Sequence, residues 1–187
     1  MNHVIDKQLS GERGKLYACF ADLKAAFDRV NREKLMEKMR RMGGNETLIR
    51  RIKELYEETR NAVRTRRYIS REFWTVRGVR QGCPLSPTLF NIYVAGLEEE
   101  LRKGQVGSIV IGDRKVWSLA YADDIVMMAD REEELKGMLK RFKTFLREVE
   151  LELSTEKTKI IVFEKRRNNR RQREWRWGGE QRKGREE

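Results

Sequence analysis

Apolar and polar positions along this chain switch between two periods, and the switches mark where elements begin and end. Residues 15–22 predict a buried strand, because Leu16, Tyr17, Ala18, Cys19 and Phe20 are all small, apolar or aromatic. Asn31 can cap a helix that carries Leu35, Met36, Met39 and Met42 on one stripe, and Gly43-Gly44 ends it. Leu48, Ile49, Ile52, Leu55 and Tyr56 form the stripe of a second helix. Residues 62–68 and 72–76 read as the two strands of a hairpin. Ser86-Pro87 is a helix start, with Ser at the N-cap and Pro in the first turn, where its missing N–H costs nothing. That helix runs through Leu89, Phe90, Ile92, Tyr93 and Leu97 to about Lys103.

In the second half, residues 108–111 and 115–120 predict strands joined at Gly112-Asp113. A third apolar run, 125–129, is separated from the second only by Tyr121-Ala122-Asp123-Asp124. Asp130, with Glu133 three residues on, has the spacing of a capping box. The helix it would open carries the strongest amphipathic stripe of the chain: Leu135, Met138, Leu139, Phe142, Phe145, Leu146 and Val149. Residues 160–163 close as a strand. Strands and helices that interleave, with hairpins among them, predict an α+β fold: an antiparallel sheet with helices packed on one face. Residues 1–164 would be one domain. Residues 165–187 differ in character, with ten Lys or Arg against four Glu and only Trp175 and Trp177 as large apolar residues. They read as a basic arm or a truncated element, in which the two tryptophans form a small strand or stack on bases.

Charge narrows the partners. Lys and Arg number 42 against 30 Asp and Glu, a net charge of +12. Such a surface attracts polyanions and gains affinity by releasing their counterions, which fits nucleic acid or an anionic membrane. No apolar run approaches the ~18 residues of a spanning helix, and residues 1–10 lack the apolar stretch of a signal peptide. The expectation is an intracellular protein of the nucleus or cytoplasm with no membrane partner. Nothing in the sequence reports oligomeric state. Cys19 and Cys83 stand far apart and His3 is the one histidine, which argues against a disulfide framework and a Cys/His zinc site. Chemistry must come from carboxylates, lysines or a metal.

Asp123 and Asp124 sit between two strongly apolar runs. A solvated turn is the better reading of an isolated Asp pair. Here the flanking Leu119-Ala120-Tyr121 and Ile125-Val126-Met127 are too apolar for a loose loop, so a tight turn would push both carboxylates to one end of a sheet. Asp22 ends another apolar strand. If that strand lies beside the hairpin, three carboxylates converge, and without histidine they suit Mg²⁺ or Mn²⁺. Two such ions, ~3.5–4 Å apart, serve phosphoryl transfer by stabilising the attacking and leaving oxygens.

These residues also carry a resemblance. Phe20-Ala21-Asp22-Leu23-Lys24-Ala25-Ala26-Phe27-Asp28 resembles the first palm motif of the reverse transcriptases of non-LTR (LINE-type) retrotransposons. Gly78-Val79-Arg80-Gln81-Gly82-Cys83-Pro84-Leu85-Ser86-Pro87 resembles their second block. Tyr121-Ala122-Asp123-Asp124 is similar to the catalytic hairpin, and Leu153-Ser154-Thr155-Glu156-Lys157-Thr158-Lys159 to the fourth block. A lone Y-x-D-D is weak, but four blocks in order across about 15–163 are specific. The resemblance implies a polymerase palm with part of the fingers and RNA-directed DNA polymerase activity. The partners would be an RNA template, a DNA primer and dNTPs.

It also implies roles. Asp22, Asp123 and Asp124 would be catalytic metal ligands for two Mg²⁺ (or Mn²⁺) ions. Phe27 would be the steric gate against a ribose 2′-hydroxyl, and Gln81 and Gly82 would line the nucleotide pocket. Lys157 would stand near the triphosphate and protonate the pyrophosphate. Each has a plainer reading: Phe27 as a core aromatic, Gly82 as turn chemistry, Lys157 as a solvated lysine, Tyr121 as a packing residue. Asp28 and Asp130 read as helix-start residues. The chain departs from the family pattern at Ser154, where an Asn is usual. Only 21 residues precede Asp22, too few for complete fingers, and no thumb follows residue 163. The expectation is a fragment of a retrotransposon polyprotein. A catalytically inactive nucleic-acid-binding remnant is the alternative from a different class, and an RNA-directed RNA polymerase, disfavoured by Phe27, is another; a group II intron maturase is a further relative in the same class.

Overall fold

The computed structural model describes residues 14–57, 59–104, 107–111 and 113–164, and the backbone of two further strands, Glu174–Trp177 and Glu180–Lys183. His3, the segment 1–10, Gly112 and the greater part of 165–187 lie outside the described residues.

Four strands form the central sheet: β1 (Lys15–Ala21), β6 (Ser118–Tyr121), β7 (Asp124–Ala129) and β8 (Lys159–Glu164). Their order is β6-β7-β1-β8, all antiparallel. Strand β1 therefore sits inside the sheet, with both edges hydrogen-bonded, as its unbroken apolar run predicts. Because side chains alternate, Tyr17, Cys19 and Ala21 point with Ile125, Met127, Ala129 and Val162 into the larger core. Leu16 and Ala18 point with Met128 to the opposite face.

Helices cover the first of these faces. They are α1 (Ala26–Arg29), α2 (Arg32–Arg41), α3 (Glu46–Glu57), α4 (Ser86–Val94), α5 (Leu97–Lys103) and α6 (Glu132–Glu148). Helix α6 buries Leu135, Met138, Leu139, Phe142, Phe145 and Leu146 as its stripe requires, and Val149 packs at its end. Asn31 caps α2, its side chain accepting the Lys34 N–H at 3.2 Å. Three stripe residues fall outside the core: Met42, Leu48 and Leu55 are exposed, because α2 and α3 each touch the core along a narrower seam than their apolar content suggests.

Several expected boundaries move. The 86–103 helix is two helices, broken at Ala95-Gly96, where a Cβ on Gly96 would stand 3.1 Å from Lys38 Nζ. Leu85, not Ser86, holds the α4 cap position; Ser86 is buried and its hydroxyl donates to the Arg80 carbonyl at 2.5 Å. Arg131, not Asp130, is the cap residue of α6, and its side chain makes no cap bond. The 115–120 run is interrupted at Trp117: β5 (Arg114–Val116) pairs with β4 (Ile109–Ile111), and β6 begins after it. The 62–76 hairpin exists but is short and shifted. Its β2 (Arg60–Asn61) pairs with β3 (Phe73–Trp74), and a single further bridge joins Arg64 to Ile69. The Trp175-Arg176-Trp177 group lies in β9 (Glu174–Trp177), paired with β10 (Glu180–Lys183).

One side chain ties the helical layer to the segment before α4. Arg32, in the first turn of α2, donates to the carbonyls of Tyr56 (2.9 Å), Thr75 (2.7 Å), Arg77 (3.0 Å) and Gly78 (2.8 Å). Its guanidinium also lies 5.2 Å from the Tyr56 ring centroid. It thus closes the C-terminal end of α3, where a cation is favoured by the helix dipole, and fixes the strand that leads to Gly78. Burial lowers its pKa, but an arginine remains charged.

Cys19 sits at the centre of β1, fully buried, and burial alone pushes its thiol up to about 12. An acid whose folded pKa is raised contributes stability below its unfolded value, and that stability declines as pH rises from 9.0 towards 12. We expect a thiol reagent at pH 8 to label Cys83, which is partly exposed, and to leave Cys19 unmodified until denaturant is added. Labelling of both thiols in the folded chain at equal rates, read by mass spectrometry, would contradict this burial.

Candidate active site

The three aspartates of the sequence reading lie at one end of the central sheet by backbone register. Ala21, the last residue of β1, pairs with Ile125 of β7, so the same register carried one residue further sets Asp22 opposite Asp124. Alternation places both on the side shared by Leu16, Ala18 and Met128, away from the helices. Asp123 lies beside them in the turn that joins β6 to β7. Asp22 is half-buried, and Asp123 and Asp124 are exposed.

That turn is a two-residue hairpin, Ala122-Asp123, closed by the Tyr121–Asp124 pair. Ala122 has φ 52°. A positive φ at the first central position only is the type II′ pattern, which matches the twist of the flanking strands and is normally given to Gly. An alanine there costs on the order of 1 kcal/mol, so the conformation needs support. The buried Ala122 N–H donates to Asn91 Oδ1 at 3.1 Å, and Asn91 is on α4. Tyr121 is 78% exposed, so it is not the packing residue of the plainer reading. Leu119 is exposed too, because β6 is an edge strand with one paired side.

Asp22 is held from the other direction. Its N–H donates to Thr158 Oγ1 at 3.2 Å, and its carbonyl accepts the Ser154 N–H at 2.8 Å. Lys24 N–H donates to the Glu152 carbonyl at 2.8 Å, and Leu23 bridges Leu153. The fourth block is therefore a backbone clamp on the first. Ser154, which stands where the family pattern has Asn, joins that clamp through its backbone N–H and carbonyl, so the departure leaves the clamp intact. The Glu152 carboxylate lies 2.5 Å from Lys24 and 2.8 Å from Arg29, and the Lys24 hydrogen bond holds it below the usual carboxylate range. Lys157 is exposed in the turn immediately before Thr158.

The second block packs against the first as well. Gly78 N–H donates to Val30 O and Val79 N–H to Phe27 O, both at 2.8 Å. A Cβ on Gly78 would stand 3.0 Å from the Asp28 backbone, and its φ is +89°, so both space and conformation demand glycine. Phe27 is half-buried, with its ring edge-to-face on Phe90, centroids 5.3 Å apart. Gln81 is exposed, with Nε2 3.4 Å from each oxygen of Asp28, an exposed residue in the first turn of α1. Gly82 has φ +79°, and nothing lies within 4 Å of where a Cβ would be.

Sequence reasoning missed Asn91, Thr158 and Arg32 as positioning residues. Thr158 and Asn91 lie inside or just after recognisable blocks, so their place was visible although their partners were not. Among the described residues, no group of three or more His, Cys, Asp or Glu side chains is placed to hold a metal ion by itself. The donor set still suits Mg²⁺, which keeps several waters and takes one or two carboxylates together with substrate phosphates rather than an all-protein cage.

The Asn91 bond gives a direct test. Asn91→Ala removes the acceptor of a buried N–H, which costs roughly 1–3 kcal/mol. We expect hydrogen exchange at the Ala122 amide to accelerate at least tenfold while the Cys19 and Met127 amides keep their protection. Equal protection at Ala122 in the variant would show that the hairpin holds itself.

Comparisons with known proteins agree with this geometry. Residues 2–181 match the family described as "Reverse transcriptase (RNA-dependent DNA polymerase)". The chain is 31% identical over 148 residues to the Retrovirus-related Pol polyprotein from type-1 retrotransposable element R2 of Nasonia vitripennis, covering 79% of this chain and 14% of that protein. It is 29% identical over 157 residues to the corresponding polyprotein from the type-2 element R2DM of Drosophila melanogaster, covering 82% of this chain and 15% of that protein. The chain thus spans less than a fifth of the length of these two relatives. Among solved structures, apo telomerase from Candida tropicalis truncated from its C-terminal domain superposes with a TM-score of 0.64 at 19% identity, covering 90% of this chain and 36% of that one. Telomerase from Candida albicans in complex with a TWJ fragment of telomeric RNA gives 0.63 at 16% identity, covering 85% and 30%. These structures fix the fold, and the matched family and the polyproteins fix the lineage: the chain belongs to the reverse transcriptase family and resembles the reverse transcriptase region of non-LTR retrotransposon Pol polyproteins.

Proposed function

We propose that this chain carries out RNA-directed DNA polymerisation as the palm, with part of the fingers, of a longer retrotransposon polyprotein. Residues 1–164 form that catalytic region and 165–187 a basic arm or truncated element. In the reaction, the 3′-hydroxyl oxygen of a DNA primer attacks the α-phosphorus of a dNTP paired with an RNA template. A new P–O bond forms, the bond to the β-phosphate oxygen breaks, pyrophosphate leaves, and the hydroxyl proton passes to solvent. The observation that supports the reading is the backbone register, which sets Asp22 opposite Asp124 with Asp123 in the adjoining turn.

Reverse transcriptases use divalent metal ions. Here Asp22, Asp123 and Asp124 would hold two Mg²⁺ (or Mn²⁺) ions, which when bound lower the charge cost of the attacking and leaving oxygens. The remaining roles belong to side chains around them. Phe27 would stand against the sugar and exclude a 2′-hydroxyl, supported by its fixed edge-to-face seat on Phe90. Gln81 and the open space at Gly82 would admit the nucleotide. Lys157, next to the residue that holds Asp22, would give a proton to the pyrophosphate. The template, the primer and the nuclear or cytoplasmic setting follow from the same reading. Among the described residues no helix is long and apolar enough to cross a membrane.

The net charge of +12 acts mainly on phosphates. Primer extension on an RNA template in Mg²⁺ tests catalysis, and filter binding across a salt series tests the inactive nucleic-acid-binding remnant as the alternative. Extension that fails in the chain and in a longer polypeptide containing it, with binding intact, would decide for the remnant.

Within a polypeptide that extends primers, Asp123→Asn is expected to abolish incorporation, since an amide supplies no charge to hold the ions. Phe27→Val is expected to admit ribonucleotides while keeping much of the deoxynucleotide activity. The competing outcome is a loss of stability with selectivity unchanged, smaller than the ~3–5 kcal/mol of a fully buried Phe→Ala change because Phe27 is half-buried and Val retains more of the side chain. Melting temperature and the dNTP-to-rNTP ratio measured on the same variant separate the two.

A further inference from the structure

Residues 60–77 show a surface that the carboxylate site does not use. The segment holds six arginines, Arg60, Arg64, Arg66, Arg67, Arg71 and Arg77, against the single acid Glu72. Arg60 is spent on Glu72 and Arg77 on Glu150. Among the described residues, Arg64, Arg66, Arg67 and Arg71 are all exposed and have no ion-pair partner. The same short hairpin leaves three aromatic rings in solvent: Tyr68 is 65% exposed, Trp74 57% and Phe73 45%. The rings ride on a rigid base, because Arg32 pins the carbonyls of Thr75, Arg77 and Gly78. The Arg60 guanidinium sits 5.0 Å from the Trp74 ring centroid, which orders that ring in a cationic setting.

We propose that this hairpin is a binding surface for single-stranded polynucleotide, with Tyr68 and Trp74 stacking on bases and Arg64, Arg66 and Arg67 on the phosphates between them. The inference rests on the nucleic-acid reading of the chain and deepens it by assigning a surface and a strandedness. Exposed rings gain stacking energy only from bases whose faces are free, and a duplex hides those faces. Unpaired arginines alone would bind single strands and duplexes alike. The combination selects the single strand. An anionic membrane also attracts basic and aromatic residues, and it enters as an outcome of the test.

The experiment is fluorescence anisotropy of the full chain with a labelled mixed-sequence 20-nucleotide RNA, the same DNA, and the corresponding duplex, across a salt series. We expect Tyr68→Ala/Trp74→Ala to weaken single-strand binding roughly thirtyfold or more, with the salt slope unchanged and duplex binding little affected. Tyr68→Phe/Trp74→Phe should restore the affinity. Arg64→Gln/Arg66→Gln/Arg67→Gln should lower the slope by about 2, at ~0.7 per phosphate contact on a single strand. All are solvent-exposed positions, and thermal melting followed by circular dichroism reports that the fold is kept. Single-strand affinity unchanged in the aromatic variant, or duplex and single strand weakened equally, overturns the proposal. So does loss of binding to 7:3 phosphatidylcholine–phosphatidylserine vesicles in these variants with oligonucleotide binding intact. Asp123→Asn should bind as the parent does, so a failure of catalysis and a failure of this surface are read separately.

Discussion

Strand β1 has no free edge, and the arrangement around the carboxylates depends on that. With β7 on one side and β8 on the other, neither its register nor its tilt can change without breaking hydrogen bonds on both flanks. A one-residue slip would carry Tyr17, Cys19 and Ala21 out of the helical core and the carboxylate end out of alignment with the β6–β7 turn. The burial of Cys19 and Met127, both inaccessible to solvent, enforces this register. Asp22 can then be half-exposed and polar at the very end of an apolar strand, because its place is set by residues that are neither.

The helical layer transmits the same constraint outward. Tyr93 on α4 donates to the Val149 carbonyl at 2.5 Å and receives the Asn31 N–H at 3.3 Å, so three helix ends meet at one hydroxyl. Glu150 joins them, with φ 55° in the left-handed region and its carboxylate 2.7 Å from Arg77 and 3.0 Å from Lys34. The hydrogen bonds from Lys34 and Asn31 hold that carboxyl below its usual range. Such exposed pairs add little to global stability. Their effect is local: they fix where the chain turns from α6 towards the clamp at Ser154.

Much of this was legible in the sequence where burial dictates pattern. Strand β1, the stripe of α6 and the Asn31 cap follow from residue type and spacing. The ordered blocks placed the carboxylates on strand ends, and the register sets Asp22 opposite Asp124. What was not legible depends on partners far away in sequence. Nothing local to Met42, Leu48 or Leu55 says that their side of the helix faces water. At Trp117 the run changes partner, from β4 on its N-terminal side to β7, whose Met128 N–H donates to the Trp117 carbonyl at 3.2 Å. Asp130 had the spacing of a capping box, yet the helix begins a residue later. Asn91 and Thr158 act through single hydrogen bonds that span 31 and 136 residues, a separation at which periodicity carries no information.

The two faces of the sheet are covered very unequally. Among the described residues, one carries a continuous core built from all the long helices, and on the other Leu16, Ala18 and Met128 cluster with Ile109, Ile111 and Val116 of the small hairpin of β4 and β5. A lid of two three-residue strands can lift at a small fraction of the cost of global unfolding, since cooperative opening scales with the apolar area each unit buries. Among the described residues the sheet thus joins two layers of unequal depth, and the face that leads to Asp22 is the shallower one.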